Sequence, residues 1–366
     1  MTSSDGTVDG PRVLHAAQMR VPAIGPVRQM EFEQQEADAL GLPWTASFYC
    51  PATVTGSVCT HPRRPGGWAT FKRDYFRWLE ERVADFDLLF LRYASVDPFE
   101  YRFVRNATLP IVTGHHTLEV NELSISAGWK SGIKAAAERH LGPLTLAHAI
   151  GHVGVTNEIA AHARDRAAGS RPRPAILYSN GVSYEEGGVL PAALSGNRHE
   201  VIFMSSRFSP WAGLDLLVDA VRRSKRDLVV HVVGSLEPAQ RDAVYADQRL
   251  VAHGHLEPAA IDELMARSTV GLGALALHRN RMNEGSTLKV RTYLRAGLPV
   301  YSGYRDVFDE RFPYYREGPV DIDQLLSFAD SMRDVDRRTV SEVARPLIDK
   351  RILLRGLYDE LSALVR

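Results

Sequence analysis

The residues best placed to do chemistry lie in one short run, Arg281 to Arg291 (RMNEGSTLKVR). A polar loop there follows an apolar, strand-like run and enters a helical pattern, with Ser286 or Thr287 placed to cap the helix. Free backbone N–H groups at Gly285, Ser286, Thr287 and Leu288, with the positive end of the helix dipole, would dock a diphosphate. Gly285 would let a ligand come close to the backbone, and Glu284 would accept from its hydroxyls. An ordinary capped helix beside a solvated glutamate fits the same letters. Arg207, in Ser206-Arg207-Phe208-Ser209-Pro210, follows a strand pattern and could grip phosphate oxygens bidentately, or be a surface arginine beside a proline turn. In Gly114-His115-His116-Thr117-Leu118, a histidine just past a strand could act as a base or orient a hydroxyl. Two adjacent histidines leave open which one is structural.

Other patterns carry less. Asp85-Phe86-Asp87, Asp321-Ile322-Asp323 and Asp334-Val335-Asp336 spell D-x-D, a metal-binding pattern, but the first precedes or starts a strand and the others lie in the C-terminal region. No metal site is expected. Gly271-Leu272-Gly273 sits inside a strand-like run with no prompt helix, unlike a dinucleotide fingerprint. His148 and His152 are four apart, yet no glutamate follows His148 as a zinc protease requires. Gly285 to Lys289 lacks the leading glycine of a P-loop.

These residues need a frame, and the chain's 366 residues suffice for about two domains. Forty-four Lys and Arg balance 44 Asp and Glu, which argues against a nucleic-acid partner held by bulk positive charge. Two cysteines, Cys50 and Cys59, are too few for a disulfide scaffold, so a reducing cytoplasm is expected. No signal peptide and no membrane-spanning run is visible. Apolar runs alternate with helical patterns: Arg12–Met19, Trp44–Tyr49, Asp87–Arg92, Pro110–Thr113, His152–Thr156 and Ala175–Tyr178 read as strands. The series restarts with Val201–Met204, Leu228–Val233, Leu250–Ala252, Val270–Gly273 and Leu298–Tyr301. Between the two series lies a Gly/Pro-rich stretch. The expected division is a tail at 1–11, an α/β domain at 12–186, a linker at 187–199, a second α/β domain at 200–340 and a helical segment at 341–366 that would pack back on the first domain. Such doubly wound halves take ligands at the carboxyl ends of their strands. Lys130, Lys134 and Arg139, near Trp129, Ile133 and Leu141, could make a basic amphipathic face for peripheral membrane contact; a solvated helix face is the plainer reading.

Over Val201 to Val300 the order is S-R-x5-G-L-D-L-L, V-V-G-S, H-G-x-L, L-x-A-L-A-L-H-R, E-G-S-x-L-K-V-R and G-L-P-V. The first half adds H-T-L-E-V, V-G-V-T-N-E-I and S-N-G-V-S. Together these resemble the GT-B glycosyltransferases, in particular the large retaining family 4, over most of the chain. The resemblance implies two Rossmann-like domains facing across a cleft, a nucleotide-sugar as co-substrate, no metal or other cofactor, and an acceptor left unidentified. It implies that Arg207, the amides of Gly285, Ser286, Thr287 and Leu288, and Lys289 bind the diphosphate. Glu284 would contact the donor sugar and His116 would lie near the transferred sugar, these two being the implied catalytic residues. Gly254, His255, Leu256 and Thr292 would border the nucleotide, and Asn180-Gly181 would form the hinge. That family carries a lysine five positions after the arginine and a second glutamate eight after the first; here Ala212 and Thr292 stand there. Lys289 or Arg281 could replace the missing charge. The competing expectation is a weak or inactive homologue that binds nucleotide or glycan as a partner module. A GT-B epimerase or phosphorylase is a third, since the fold alone does not fix the reaction.

Overall fold

The computed structural model describes residues 9–20, 24–62, 66–125, 129–167, 169, 173–193, 196 and 198–366, with the side chains of 24, 129 and 130 left out. Most of the expected tail, part of the expected linker, and the side chains of Trp129 and Lys130 therefore lie outside the described residues.

The chain divides into two compact units, Met1–Ser179 with Lys350–Arg366, and Asn180–Asp349. The division thus runs through Ser179 and Asn180, and the Gly/Pro-rich stretch after Glu186 belongs to the second unit. Among the described residues the first unit holds β1 (Val13–Gln18), β2 (Trp44–Tyr49), β3 (Cys59–Thr60), β4 (Leu88–Arg92), β5 (Ile111–His115), β6 (Gly151–Gly154) and β7 (Ala175–Leu177). They form one sheet in the order β3-β2-β1-β4-β5-β6-β7. Every pairing is parallel. Parallel neighbours need crossover helices, which bury both sheet faces, so β1 reads as an apolar run buried at all six positions. His15 survives in that run by pairing with Glu33 of the helix Ile24–Leu40 at 2.5 Å.

The second unit holds β8 (His199–Arg207), β9 (Leu228–Ser235), β10 (Leu250–Gly254), β11 (Val270–Leu272), β12 (Val300–Ser302) and β13 (Tyr315–Glu317). Their order is β10-β9-β8-β11-β12-β13, again all parallel. In each sheet the order reverses once, between β1 and β4 and between β8 and β11. Crevices form outside the carboxyl ends of strands at such points.

The helix Lys350–Leu364 belongs to the first unit: Leu354, Leu357, Tyr358 and Leu361 join the core made by Val13, Trp44, Phe90 and Val112. Polar contacts lock its start, with Lys350 Nζ 3.2 Å and Arg351 Nε 2.7 Å from Glu33 and Glu36 oxygens. The aspartates of the D-x-D patterns have structural work. Asp87 binds Arg12, while Asp321 and Asp336 cap the helices Ile322–Met332 and Arg337–Ile348. His148 lies past the helix Trp129–Leu146 and His152 lies in β6, so they share no helix face.

Candidate active site

In the second unit, Arg207 is the last residue of β8 and pairs in register with Ser235, the last of β9. Its Nη2 donates to Glu237 Oε1 at 2.7 Å, and both side chains are largely exposed. Beside them opens a cavity of about 380 Å³ lined by Gly234, Ser235, Arg241, His253, Gly254 and His255 among others. Ser235 Oγ and His255 Nε2 are 2.6 Å apart across it. Gly234 has φ +127°, and a Cβ there would stand 1.6 Å from the Ser205 carbonyl oxygen, so a side chain is excluded at this edge. The structure thus gathers Arg207, Gly254 and His255 at the carboxyl ends of β8, β9 and β10. Leu256 follows, half-buried.

The Arg281–Arg291 segment departs from expectation in two ways. Neither Ser286 nor Thr287 caps the helix Leu288–Arg295 through its side chain. Thr287 holds the cap position but its hydroxyl pairs with the Tyr304 hydroxyl at 2.9 Å, and Ser286 Oγ accepts from the Asn180 amide at 3.0 Å. Nor is the Gly285 amide open to phosphate: it donates to the Arg305 carbonyl at 3.0 Å in a short parallel bridge between Glu284 and Arg305. Glycine is needed at 285 because a Cβ would lie 2.7 Å from the Tyr304 ring. What remains is an uncapped helix start at which the amides of Thr287, Leu288 and Lys289 have no acceptor among the described residues.

Lys289 lies on that first turn. Its ammonium nitrogen is buried, has no hydrogen-bond partner among the described residues, and sits 5.1 Å from the centre of the Phe203 ring on β8. Burial pulls its pKa down to about 7. A buried amine without a partner is costly unless an anion joins it. Ala212 is fully buried in the core around Val201 and Phe203, so no charge comes from that position. Thr292 turns its hydroxyl back to the Leu288 carbonyl at 3.1 Å, inside its own helix. Glu284 is nearly buried and accepts from Arg305 Nη2 at 2.8 Å. Asn180, the first residue of the second unit, is tied to this loop: its Nδ2 donates to the Ser286 carbonyl at 2.5 Å and its own carbonyl accepts from Arg291 Nε at 3.0 Å. Gly181 follows it. Arg291 in turn holds Asp306 by two 2.6 Å bonds, both side chains fully buried.

In the first unit the two histidines separate. His115 ends β5, buried, with Nδ1 2.6 Å from Glu119 Oε1 and Nε2 2.9 Å from Thr113 Oγ1. His116 is exposed to solvent yet crowded by protein; that crowding, with the positive charges of Arg92, His15, His115 and Lys350, holds its pKa well below the usual histidine range. It is a neutral imidazole at pH 7. Arg92, the last residue of β4, is a cation that the sequence reading passed over as a strand end. Its only signal there is a charge closing an otherwise apolar run. Tyr304 and Arg305, which hold the Glu284–Thr287 loop, gave no sequence signal.

No family model and no curated protein matches the sequence. Solved structures do. Anabaena HepE (Alr3699) in complex with UDP is 15% identical, with a TM-score of 0.67 over 96% of this chain and 100% of that one. Sucrose-phosphate synthase from Thermosynechococcus elongatus is 14% identical, with a TM-score of 0.66 over 96% and 100%. The lipopolysaccharide outer core galactosyltransferase WaaB in its apo form is 11% identical, with a TM-score of 0.65 over 96% and 99%. The fold is GT-B. At these identities the likeness concerns architecture: a GT-B chain places two parallel α/β units in tandem, as here. No helix among the described residues is long and apolar enough to cross a membrane.

Proposed function

We propose that this GT-B chain is a retaining, metal-independent glycosyltransferase of the family-4 type, which moves a sugar from a nucleoside-diphosphate sugar to an acceptor hydroxyl in the cytoplasm. The observation that carries this is Lys289: a buried, unpartnered ammonium beside uncapped amides at a helix start, in the second unit. Such a site is built for an oxyanion, and the helix dipole adds to it. The departing diphosphate gains charge as the glycosidic bond breaks, and preorganised N–H donors stabilise that charge without reorganising. Lys289 supplies the cation that Ala212 cannot. Arg207 adds a mobile one at the strand edge, and the cavity at Ser235, Gly254 and His255 takes the nucleoside. Glu284, fixed by Arg305, accepts from sugar hydroxyls. His116, neutral and without a hydrogen-bond partner among the described residues, orients the acceptor hydroxyl. With retention, the acceptor enters on the face the diphosphate leaves, so no carboxylate nucleophile is required.

HepE binds UDP and UDP-glucose in its solved complexes, which makes UDP the first probe. Calorimetric titration with UDP, other nucleoside diphosphates and their sugar conjugates tests the reading. Micromolar binding of one base, weakened at least tenfold in Lys289→Met, is the expected result. Absence of binding across the panel would remove the donor site, and binding without turnover on any acceptor would leave the partner module.

A further inference from the structure

The carboxyl ends of β4 and β5 carry two polar side chains that the protein itself does not engage. Arg92 closes β4 and is half-buried, and its guanidinium makes no hydrogen bond or ion pair among the described residues. Glu33 and Glu122 are near enough to act on it electrostatically, and Glu33 is itself bonded to His15 and Lys350. Arg92 pairs in register with Gly114 of β5, and His116, just past the end of that strand, lies close enough for Arg92 to act on it electrostatically. Gly114 carries no side chain, and a Cβ there would meet the Phe90 ring at 2.8 Å. The Phe90 ring packs over Gly114, leaving the Arg92 guanidinium at the strand's carboxyl end.

The position within the fold matters as much. The order of the first sheet reverses between β1 and β4, and Arg92 ends the strand on one side of that reversal. Every charged group that acts strongly on His116 is a cation or a histidine: Arg92, His15, His115 and Lys350. Burial also lowers the Arg92 pKa, to about 10, the sign of a guanidinium stripped of water without a full counter-charge. A planar fork of five N–H donors without an acceptor, at the carboxyl end of a strand beside the reversal in sheet order, matches a phosphate or carboxylate.

We propose that Arg92 is an oxyanion-binding residue of the acceptor site, so that the acceptor carries a phosphate or carboxylate group held at the β4 end beside His116. This rests on the glycosyltransferase reading for the word acceptor; the anion site itself stands on Arg92. The anion fixes the acceptor, and His116, which Arg92 keeps neutral, is left to accept a hydrogen bond from the hydroxyl that attacks. The anion belongs either to a soluble sugar phosphate or uronate, or to a lipid headgroup.

The test uses the full chain saturated with UDP, so that the second-unit phosphate site is occupied. Inorganic phosphate, glucose 6-phosphate, glucuronate and glucose are titrated calorimetrically, and vesicles of phosphatidylglycerol or phosphatidylcholine are tested by co-sedimentation. At least one of the soluble anions or the phosphatidylglycerol vesicles is expected to bind where glucose or phosphatidylcholine does not. Arg92→Met should weaken that binding about tenfold to a hundredfold and Arg92→Lys severalfold, with UDP affinity unchanged. Soluble anions alone would point to a sugar phosphate or uronate, and vesicles alone to a lipid headgroup. Equal anion binding in wild type and both variants, or no anion binding at all, overturns the proposal. If UDP fails to bind, the donor reading falls, and the Arg92 comparison is then read without it.

Discussion

The Lys289 ammonium lies 5.1 Å from the centre of the Phe203 ring and finds no hydrogen-bond acceptor among the described residues. A cation–π contact of this kind offsets only part of the cost of burying an ammonium. The residue therefore destabilises the empty protein, and the pH dependence follows from its pKa of about 7 against an ordinary 10.5. Between those values the unfolded chain binds more protons than the folded one, so this group makes stability rise with pH. Below pH 7 its penalty is complete. Lys289→Met should raise stability at pH 6.5 by about 1–3 kcal/mol, and the gap to wild type should narrow as pH approaches 10. Urea unfolding at pH 6.5, 8 and 9.5 measures it; a constant gap would mean that Lys289 is not titrating.

A diphosphate that joins Lys289 restores its charged form, so binding near pH 8 should take up a proton. Calorimetric enthalpies in two buffers of different ionisation heat then differ for wild type and agree for Lys289→Met. Equal enthalpies in both proteins would place the diphosphate elsewhere.

The sheets were legible because parallel strands buried on both faces are written as short apolar runs. β3 and β13, of two and three residues, are too short to show any period. The misreading of Ser286 and Thr287 as caps has a tertiary cause. Local rules favour a hydroxyl turning onto its own helix, but Tyr304 and Asn180 compete for both, and neither is near in sequence. The same holds for Gly285, whose amide is taken by Arg305 and whose missing side chain serves Tyr304. Arg92 was visible as a charge ending a strand. That it lacks a partner depends on the helices around it, which no spacing reveals.

Glu33 links three parts of the first unit: His15 of β1, Tyr178 after β7 and Lys350 of the last helix. Burial alone would raise its pKa, but His15 and Lys350 outweigh that and hold it at about 2, against an ordinary 4.5. Its stabilisation is therefore present above pH 4.5 and is lost as pH falls toward 2. Glu33→Gln should cost about 3–5 kcal/mol at pH 6, since it strands Lys350 as a buried cation. It should also flatten this part of the acid limb. Urea midpoints from pH 3 to 6 would show it, and parallel limbs in the two proteins would remove Glu33 as the cause.

Arg207 and Glu237 form an exposed pair at the edge of the nucleotide cavity, 2.7 Å apart. Such pairs contribute about 0–1 kcal/mol, and Glu237 also stands in a capping box at the start of the helix Pro238–Tyr245, so Glu237→Gln should cost about 1 kcal/mol of folding stability. Its effect should also appear on binding, because Glu237 competes with phosphate for the same guanidinium. Relief of that competition should tighten UDP binding about two- to fivefold at low salt, whereas Arg207→Ala should weaken it. Both charges face water, so half-molar salt should erase the Glu237→Gln gain. Weaker binding in Glu237→Gln at every salt would give the carboxylate a different task. It would then accept from ribose hydroxyls, in the role that Thr292 cannot fill while its hydroxyl is turned into its own helix.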